Sequence, residues 1–214
     1  AVACGIDTRL EFCPQLRIGN ENIGHLESCQ IEGFAGGSTG DGNLLIFLFQ
    51  IGKDQMLITA CTKKISDDGN IITGRPNTMT ANWGGLGVLW NKNVATVYIR
   101  PSRYTKEIID ETDTFSLSFL PERYKTALDY CGCHSGRNED KFRATKLDVE
   151  YMNGTPWIKQ ARLVLFCQKL YSQELDSFKF VEEKVCNQFY RKNDFHTIYI
   201  GEITKVLAES RDLK

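Results

Sequence analysis

NTMTANWGGLGVLWNKNVATVYIRPSRYT, residues 77–105, holds the clearest architectural signal of the chain. Its two flanks, NTMTANW (77–83) and VATVYIR (94–100), are short and rich in β-branched, aromatic or alternating residues, so both read as strands. Gly84, Gly85 and Gly87 lie between them. Small and polar residues running into glycine let a backbone approach a flat ligand closely. The plain alternative is an ordinary strand entering a glycine turn. After the second strand, Ser102 can cap a helix over about 104–111, with Ile108 and Ile109 facing inward.

Outward from this stretch the same texture continues. QMLITAC (55–61), TFSLSF (114–119), LVLFCQKL (163–170) and FHTIYIGEITKV (195–206) are further strand candidates. Short helices are expected over 121–129, with Pro121 in the first turn, and over 139–144. Many strands with few helices predict a mainly-β barrel and not a doubly wound sheet. The domain is expected to span residues 43–210. Residues 1–42 carry Gly and three Cys with little periodicity and form an unassigned extension; GFAGGSTGDG (33–42) reads as a flexible loop. The longest apolar stretch, 44–49, is strand-sized.

Composition narrows the function. A formal net charge of -1 creates no global field toward nucleic acid or an anionic membrane, so neither is expected as a partner and any anion site must be a local basic cluster. No apolar run reaches the eighteen residues of a membrane span. The first residues, AVACGIDTRL, lack the basic start and apolar middle of a secretory signal, and the chain starts without Met, as a fragment or processed product would. Eight Cys in a chain with this many apolar strands read as reduced thiols of a cytoplasmic protein. Cys131, Cys133 and His134 have no second cluster to complete a zinc site, so no metal is expected. Cys131 and Cys133 are separated by one residue, unlike the usual C-x-x-C redox pair. The glycines at 36–42 are not followed by Lys-Ser or Lys-Thr, and Gly84-Gly85-Leu86-Gly87 does not complete G-x-G-x-x-G. P-loop and Rossmann sites are thereby excluded.

Three clusters carry candidate chemistry. Asn77, Thr78, Met79, Thr80, Ala81, Asn82 and Trp83 can offer main-chain N–H groups to the electron-rich edge of a flat ligand. Arg100, Ser102, Arg103 and Thr105 stand before a helix, where guanidiniums and free N–H groups suit a phosphate. Ser135, Gly136 and Arg137 make a donor-rich turn, and Lys141 adds a charge a helical turn later. Together these supply up to four cations for one anion; singly, each reads equally as a solvated surface charge. His196 opens the last strand, where it faces a cofactor or serves as a hydrogen-bonded structural residue.

In this order the segments resemble the flavin reductase-like family with the FMN-binding split barrel, and most closely its flavoredoxin-like branch. The resembling text is IGKDQMLITA (51–60), residues 77–105, YCGCHSGRNEDKF (130–142), LYSQ (170–173) and HTIYIGEI (196–203). The resemblance implies a Greek-key split β-barrel with a few short helices, and a homodimer with one FMN per subunit. It implies that residues 77–83 line the isoalloxazine, and that Arg100, Ser102, Arg103, Thr105, Ser135, Gly136, Arg137 and Lys141 surround the phosphate. It sets His196 near the reacting face of the ring. Gln55, where similar proteins more often carry an aromatic residue, and Cys133, where Ser is expected, depart from the pattern. Residues 1–42 do not resemble the family's usual N-terminal strand.

Two activities follow from the resemblance. One is an NAD(P)H-dependent flavin reductase, in which hydride passes to flavin N5. The other is an electron carrier with tightly bound FMN, served by a protein electron donor. A barrel that has lost its flavin is a third reading, opposed by the basic residues at 100, 103, 137 and 141.

Overall fold

A computed structural model describes residues 27–29 and 55–208. The expected loop at 33–42 and apolar stretch at 44–49 lie outside the described residues, and of the 1–42 extension only Glu27–Cys29 lies within them. The strands are β1 (Glu27–Cys29), β2 (Met56–Ala60), β3 (Lys63–Ile65), β4 (Ile71–Thr73), β5 (Asn77–Ala81), β6 (Gly84–Leu89), β7 (Lys92–Ile99), β8 (Thr114–Phe119), β9 (Val149–Met152), β10 (Thr155–Ile158), β11 (Leu163–Glu174) and β12 (Thr197–Ala208). The helices are α1 (Tyr104–Asp110), α2 (Lys125–Cys133), α3 (Lys141–Thr145) and α4 (Glu183–Phe189).

The main sheet runs β5-β2-β8-β11-β12-β7-β6, and β1 pairs with the far end of β12. Every ladder in it is antiparallel. β5 and β6 stand at opposite ends of this order, yet only Asn82 and Trp83 separate them in the chain. The sheet must therefore curl until its two edges meet, which makes a barrel. β5 and β6 share no ladder, so the barrel stays open at that corner.

Period-2 alternation sorts the side chains into two layers. Met56 and Ile58 of β2, Phe115 and Leu117 of β8, Leu165 of β11, Val97 and Ile99 of β7 and Tyr199 of β12 fill the barrel. Full burial of one such side chain stabilises the fold by about 1.5–3 kcal/mol. The intervening Leu57, Val164 and Phe166 face outward and are covered by Leu128 and Cys131 of α2 and by Trp157 and Ile158 of β10. Serines of β8 use the same outer face: Ser116 Oγ donates to the Pro156 carbonyl at 2.6 Å, and the Ile158 N–H donates to Ser118 Oγ at 3.4 Å. This explains why TFSLSF alternates aromatic and aliphatic residues with serine.

Several boundaries differ from expectation. GGLGVL, read as part of a glycine turn, is strand β6. A Cβ on Gly84 would stand 2.6 Å from the Thr96 carbonyl oxygen, so glycine here permits the close approach of β7. β11 continues to Glu174 through a bulge between Lys169 and Tyr171, because β12 offers it partners as far as Thr197. The β3–β4 and β9–β10 hairpins and α4 were not anticipated. Ser102 does not cap α1; Arg103 holds that position, with no side-chain capping bond. Pro121 precedes the short 3-10 turn Glu122–Tyr124, and α2 starts only at Lys125. α3 starts after Asp140, whose carboxylate accepts from the Phe142 and Arg143 N–H groups, both at 3.1 Å.

Candidate functional site

The open corner of the barrel holds two adjoining cavities. The larger, about 240 Å³, is lined by Met79, Thr80, Ala81, Asn82, Trp83, Tyr98, Arg100, Arg103 and His196. The smaller, about 70 Å³, is lined by Asn77, Met79, Ser102, Arg103, Tyr104, Thr105, Cys133, His134, Ser135, Gly136 and Lys141. Met79 and Arg103 line both, so the two lie side by side as neighbouring lobes of one grooved surface. Of the residues singled out in the sequence, all but Thr78 and Arg137 line it.

The strand period explains which side chains arrive. Val97 and Ile99 of β7 point into the core, so Tyr98, and Arg100 just beyond the strand, point the other way and reach the larger lobe. Thr78 on β5 turns away from the groove: its hydroxyl lies 3.0 Å from Thr59 Oγ1 and donates to the Ile58 carbonyl at 3.2 Å. Asn77 faces the smaller lobe and its Nδ2 donates to Thr105 Oγ1 at 2.8 Å.

The expectation of four cations open to one anion is revised, because two are already paired. Arg100 makes an ion pair with Asp194 at 2.7 Å, donates to the Phe189 carbonyl at 2.9 Å and lies 5.2 Å over the Tyr190 ring. Arg137 pairs with Glu107, donates to the Ser102 carbonyl at 3.3 Å and lies 5.2 Å over the Tyr104 ring. It braces the rim of the smaller lobe without lining it. The reason is general: a guanidinium presents several donors, and carboxylates and carbonyls within reach engage them.

Arg103 and Lys141 have no carboxylate partner among the described residues. Arg103 is exposed and donates to the Gly132 carbonyl at 2.8 Å. Lys141 is buried, and its Nζ donates to the carbonyls of Thr78 at 2.8 Å and Cys131 at 2.9 Å. Burial lowers its pKa from the usual lysine value. The smaller lobe thus combines two cations with the hydroxyls of Ser102, Thr105 and Ser135, a donor set suited to a phosphate-like anion.

The wall of the larger lobe is aromatic. The Trp83 ring lies 4.9 Å from the His196 ring and 5.6 Å edge-on from Phe189 of α4. His196 is buried, and its Nδ1 is 2.9 Å from the Tyr190 hydroxyl. Burial, reinforced by the Arg100 charge, pushes the His196 pKa down to about 4, so the imidazole is neutral at pH 7.

Cys131 and Cys133 are both free thiols, the first buried and the second exposed. Two residues apart on α2, they do not share a helix face. Burial pushes the Cys131 thiol up to about 11, far from the range of a reactive thiolate.

Sequence reasoning missed Tyr98, Tyr104, Phe189, Tyr190 and Asp194. Tyr98 was accessible, since it lies two positions before Arg100 on the same strand face. Phe189, Tyr190 and Asp194 carry no local signature; only the return of the chain after α4 brings them to the groove.

Residues 51–214 match the Flavin reductase like domain family. Among solved structures, the chain is similar to a flavoredoxin from Methanosarcina acetivorans, with 25% identity, a TM-score of 0.53, and 82% of this chain and 77% of that chain covered. It is also similar to the flavoredoxin of Desulfovibrio vulgaris (Miyazaki F), with 22% identity, a TM-score of 0.53, and coverage of 73% and 70%. A Shewanella frigidimarina NCIMB 400 protein with a split barrel domain shares 20% identity over 75% of this chain and 69% of its own, with a TM-score of 0.55. The chain matches no curated protein. Among the described residues no helix is long and apolar enough to cross a membrane. With a matched segment covering most of the chain and an antiparallel barrel split at the β5–β6 corner, this chain belongs to the flavin reductase-like domain family.

Proposed function

We propose that the chain holds FMN across the two adjoining lobes and is reduced there by NAD(P)H. One observation carries this reading: Met79 and Arg103 line both lobes, so a ligand with a planar head and an anionic tail would span them. The lobes differ as such a ligand requires. Trp83, Tyr98 and His196 offer flat, largely apolar surfaces to a ring, while Arg103, Lys141, Ser102 and Ser135 offer cations and hydroxyls to a phosphate. When bound, FMN supplies the hydride-accepting ring that no amino-acid side chain provides.

The chain's own residues then have defined tasks. Arg103 and Lys141 bind and orient the phosphate, and Arg137 stiffens the turn that carries Ser135. Asn77 holds β5 against α1 through Thr105. Residues 79–83 line the ring lobe, and Ala81 adds little side-chain bulk there. Arg100 is spent on Asp194 and Phe189, and so fastens the segment after α4 to the lobe. No side chain is required to abstract a proton in this reading. Anaerobic addition of NADH or NADPH to FMN-loaded protein tests it: flavin absorption should bleach with at least one, and bleaching with neither would reject the activity.

A second reading, an electron carrier with protein partners, is favoured by the 25% identity to the Methanosarcina flavoredoxin. A carrier would co-purify yellow and accept electrons slowly from nicotinamides. A reductase would reduce added free flavin with turnover.

The protein is further proposed to form a homodimer. Val88, Leu89, Trp90, Leu170 and Tyr171 leave apolar surface exposed around the β6–β7 turn, where Trp90 and Tyr171 pack at 6.5 Å. Trp90 is 56% exposed and holds φ at 53°, a left-handed conformation costly for a bulky residue. A strained turn that presents an indole outward supports burial against a second copy.

A further inference from the structure

We propose that Tyr190 is a positioning residue whose hydroxyl donates to Nδ1 of His196, leaving the ring proton on Nε2 and making His196 a hydrogen-bond donor into the larger lobe. The donor role rests on the reading of that lobe as a ring-binding site; the tautomer assignment does not.

Tyr190 is buried at the end of α4. Its ring stacks on Phe195 at 4.8 Å, lies 5.5 Å from Phe180, and carries the Arg100 guanidinium at 5.2 Å. Arg100 is itself held by Asp194 and the Phe189 carbonyl. The hydroxyl therefore has little freedom to turn away from the imidazole, 2.9 Å distant.

Either group could donate across that contact, and the two choices are unequal. Were Nδ1–H the donor, the tyrosine proton would have no acceptor among the described residues, and an unsatisfied buried donor costs about 1–3 kcal/mol. With the tyrosine donating, both atoms are satisfied and the imidazole proton sits on Nε2. Nε2 has no protein partner among the described residues, yet it is not one of their enclosed, unpaired atoms, of which Thr112 Oγ1 is the sole case. It therefore opens toward the lobe that His196 lines. An Nδ1 that accepts requires a neutral ring. The groups facing His196 favour that form: Arg100 and Arg103 oppose a third positive charge, burial acts in the same direction, and Asp194 opposes them only in part, being already paired with Arg100. A neutral Nε2–H suits a carbonyl oxygen or ring nitrogen of a planar ligand, and the Trp83 ring at 4.9 Å keeps the imidazole from tilting freely.

The test is long-range ¹H–¹⁵N correlation spectroscopy on the ¹⁵N-labelled protein without flavin. The chain has three histidines, so the signals lost in His196→Gln identify the residue. The expected wild-type pattern is a single tautomer, protonated on Nε2 and unchanged between pH 8 and pH 5. In Tyr190→Phe, which keeps the ring contacts, a mixture of tautomers should appear. A wild-type ring protonated on Nδ1 would overturn the proposal whether or not the variant folds, as would a Tyr190→Phe spectrum identical to the wild type. Added FMN should shift the Nε2 proton signal. FMN that binds without shifting it would remove the donor role, whereas FMN that does not bind at all would sink the reading of the groove and leave the tautomer standing.

Discussion

Asn77 Nδ2 donates to Thr105 Oγ1 over 2.8 Å, and this one bond ties β5 to α1 beside the small lobe that both residues line. Gly136 packs directly on the same amide: a Cβ there would stand 1.9 Å from Asn77 Oδ1 and 3.3 Å from Tyr104 Cδ1. Asn77 is buried and tied, so it cannot swing clear. Gly136→Ala should cost about 1–3 kcal/mol through overpacking. A lowered Tm together with weaker FMN binding in a fluorescence titration is the expected pair of results; an unchanged Tm would show that the turn relaxes freely.

The guanidinium that lines the anion lobe and the one that braces its rim should not contribute equally. Arg103 lines both cavities without a carboxylate partner, whereas Arg137 is engaged by Glu107 and the Ser102 carbonyl. Arg103→Ala should weaken FMN binding by about 1.5–3 kcal/mol, roughly ten- to a hundred-fold, the worth of a charge-assisted hydrogen bond. Arg137→Ala should cost less, by loosening the rim. Riboflavin, which lacks the phosphate, should be nearly indifferent to Arg103→Ala. Equal losses for the two ligands would contradict the assignment.

Lys141 is a structural tie as well as a charge. Lys141→Met strips the Thr78 and Cys131 carbonyls of their ammonium donor inside a buried site. A loss on the order of 2–4 kcal/mol is expected from two abandoned acceptors. Urea unfolding of the flavin-free protein measures it; a lower midpoint at constant slope is the predicted signature.

His196 sets a pH window for stability. Its folded-state pKa of about 4 lies below the ordinary value of 6.5, so between these the unfolded chain binds the extra proton. Stability from this residue is therefore complete above pH 6.5 and declines as pH falls toward 4, by on the order of 2–3 kcal/mol. Chemical denaturation from pH 8 to pH 4 should show this slope, and His196→Gln should flatten it. A His196→Gln profile parallel to the wild type would place the pH dependence elsewhere.

Trp90 provides a test of the dimer that separates association from folding. Trp90→Gly relieves a left-handed φ of 53° in the β6–β7 turn and removes the exposed indole. Gly should recover about 1–2 kcal/mol of backbone strain. Light scattering should then report at least tenfold weaker dimerisation with no loss of subunit stability. Retention of the dimer would move the interface away from this turn.

The strands were largely legible because alternation is local. Phe115, Leu117 and Phe119 interleaved with Ser116 and Ser118 declare a two-faced strand without reference to anything distant, and β8 occupies the expected residues. The groove was partly legible for a related reason: Asn77–Ala81, Arg100–Thr105 and Ser135–Lys141 are three short runs, each dense in donors, and antiparallel closure brings their ends together. Strand β6 was hidden because glycines erase the apolar signal that marks a strand, though they permit its packing on β7.

What the amino-acid order determined by itself is the periodicity of the barrel and the residue types available at its open corner. How those charges are spent was settled by folding alone. Asp194, Glu107 and Tyr190 lie far along the chain from Arg100 or Arg137, or within a segment that has no periodic signal. Charge pairing acts through space within about 4 Å, a distance scale on which sequence separation carries no information until the chain has folded.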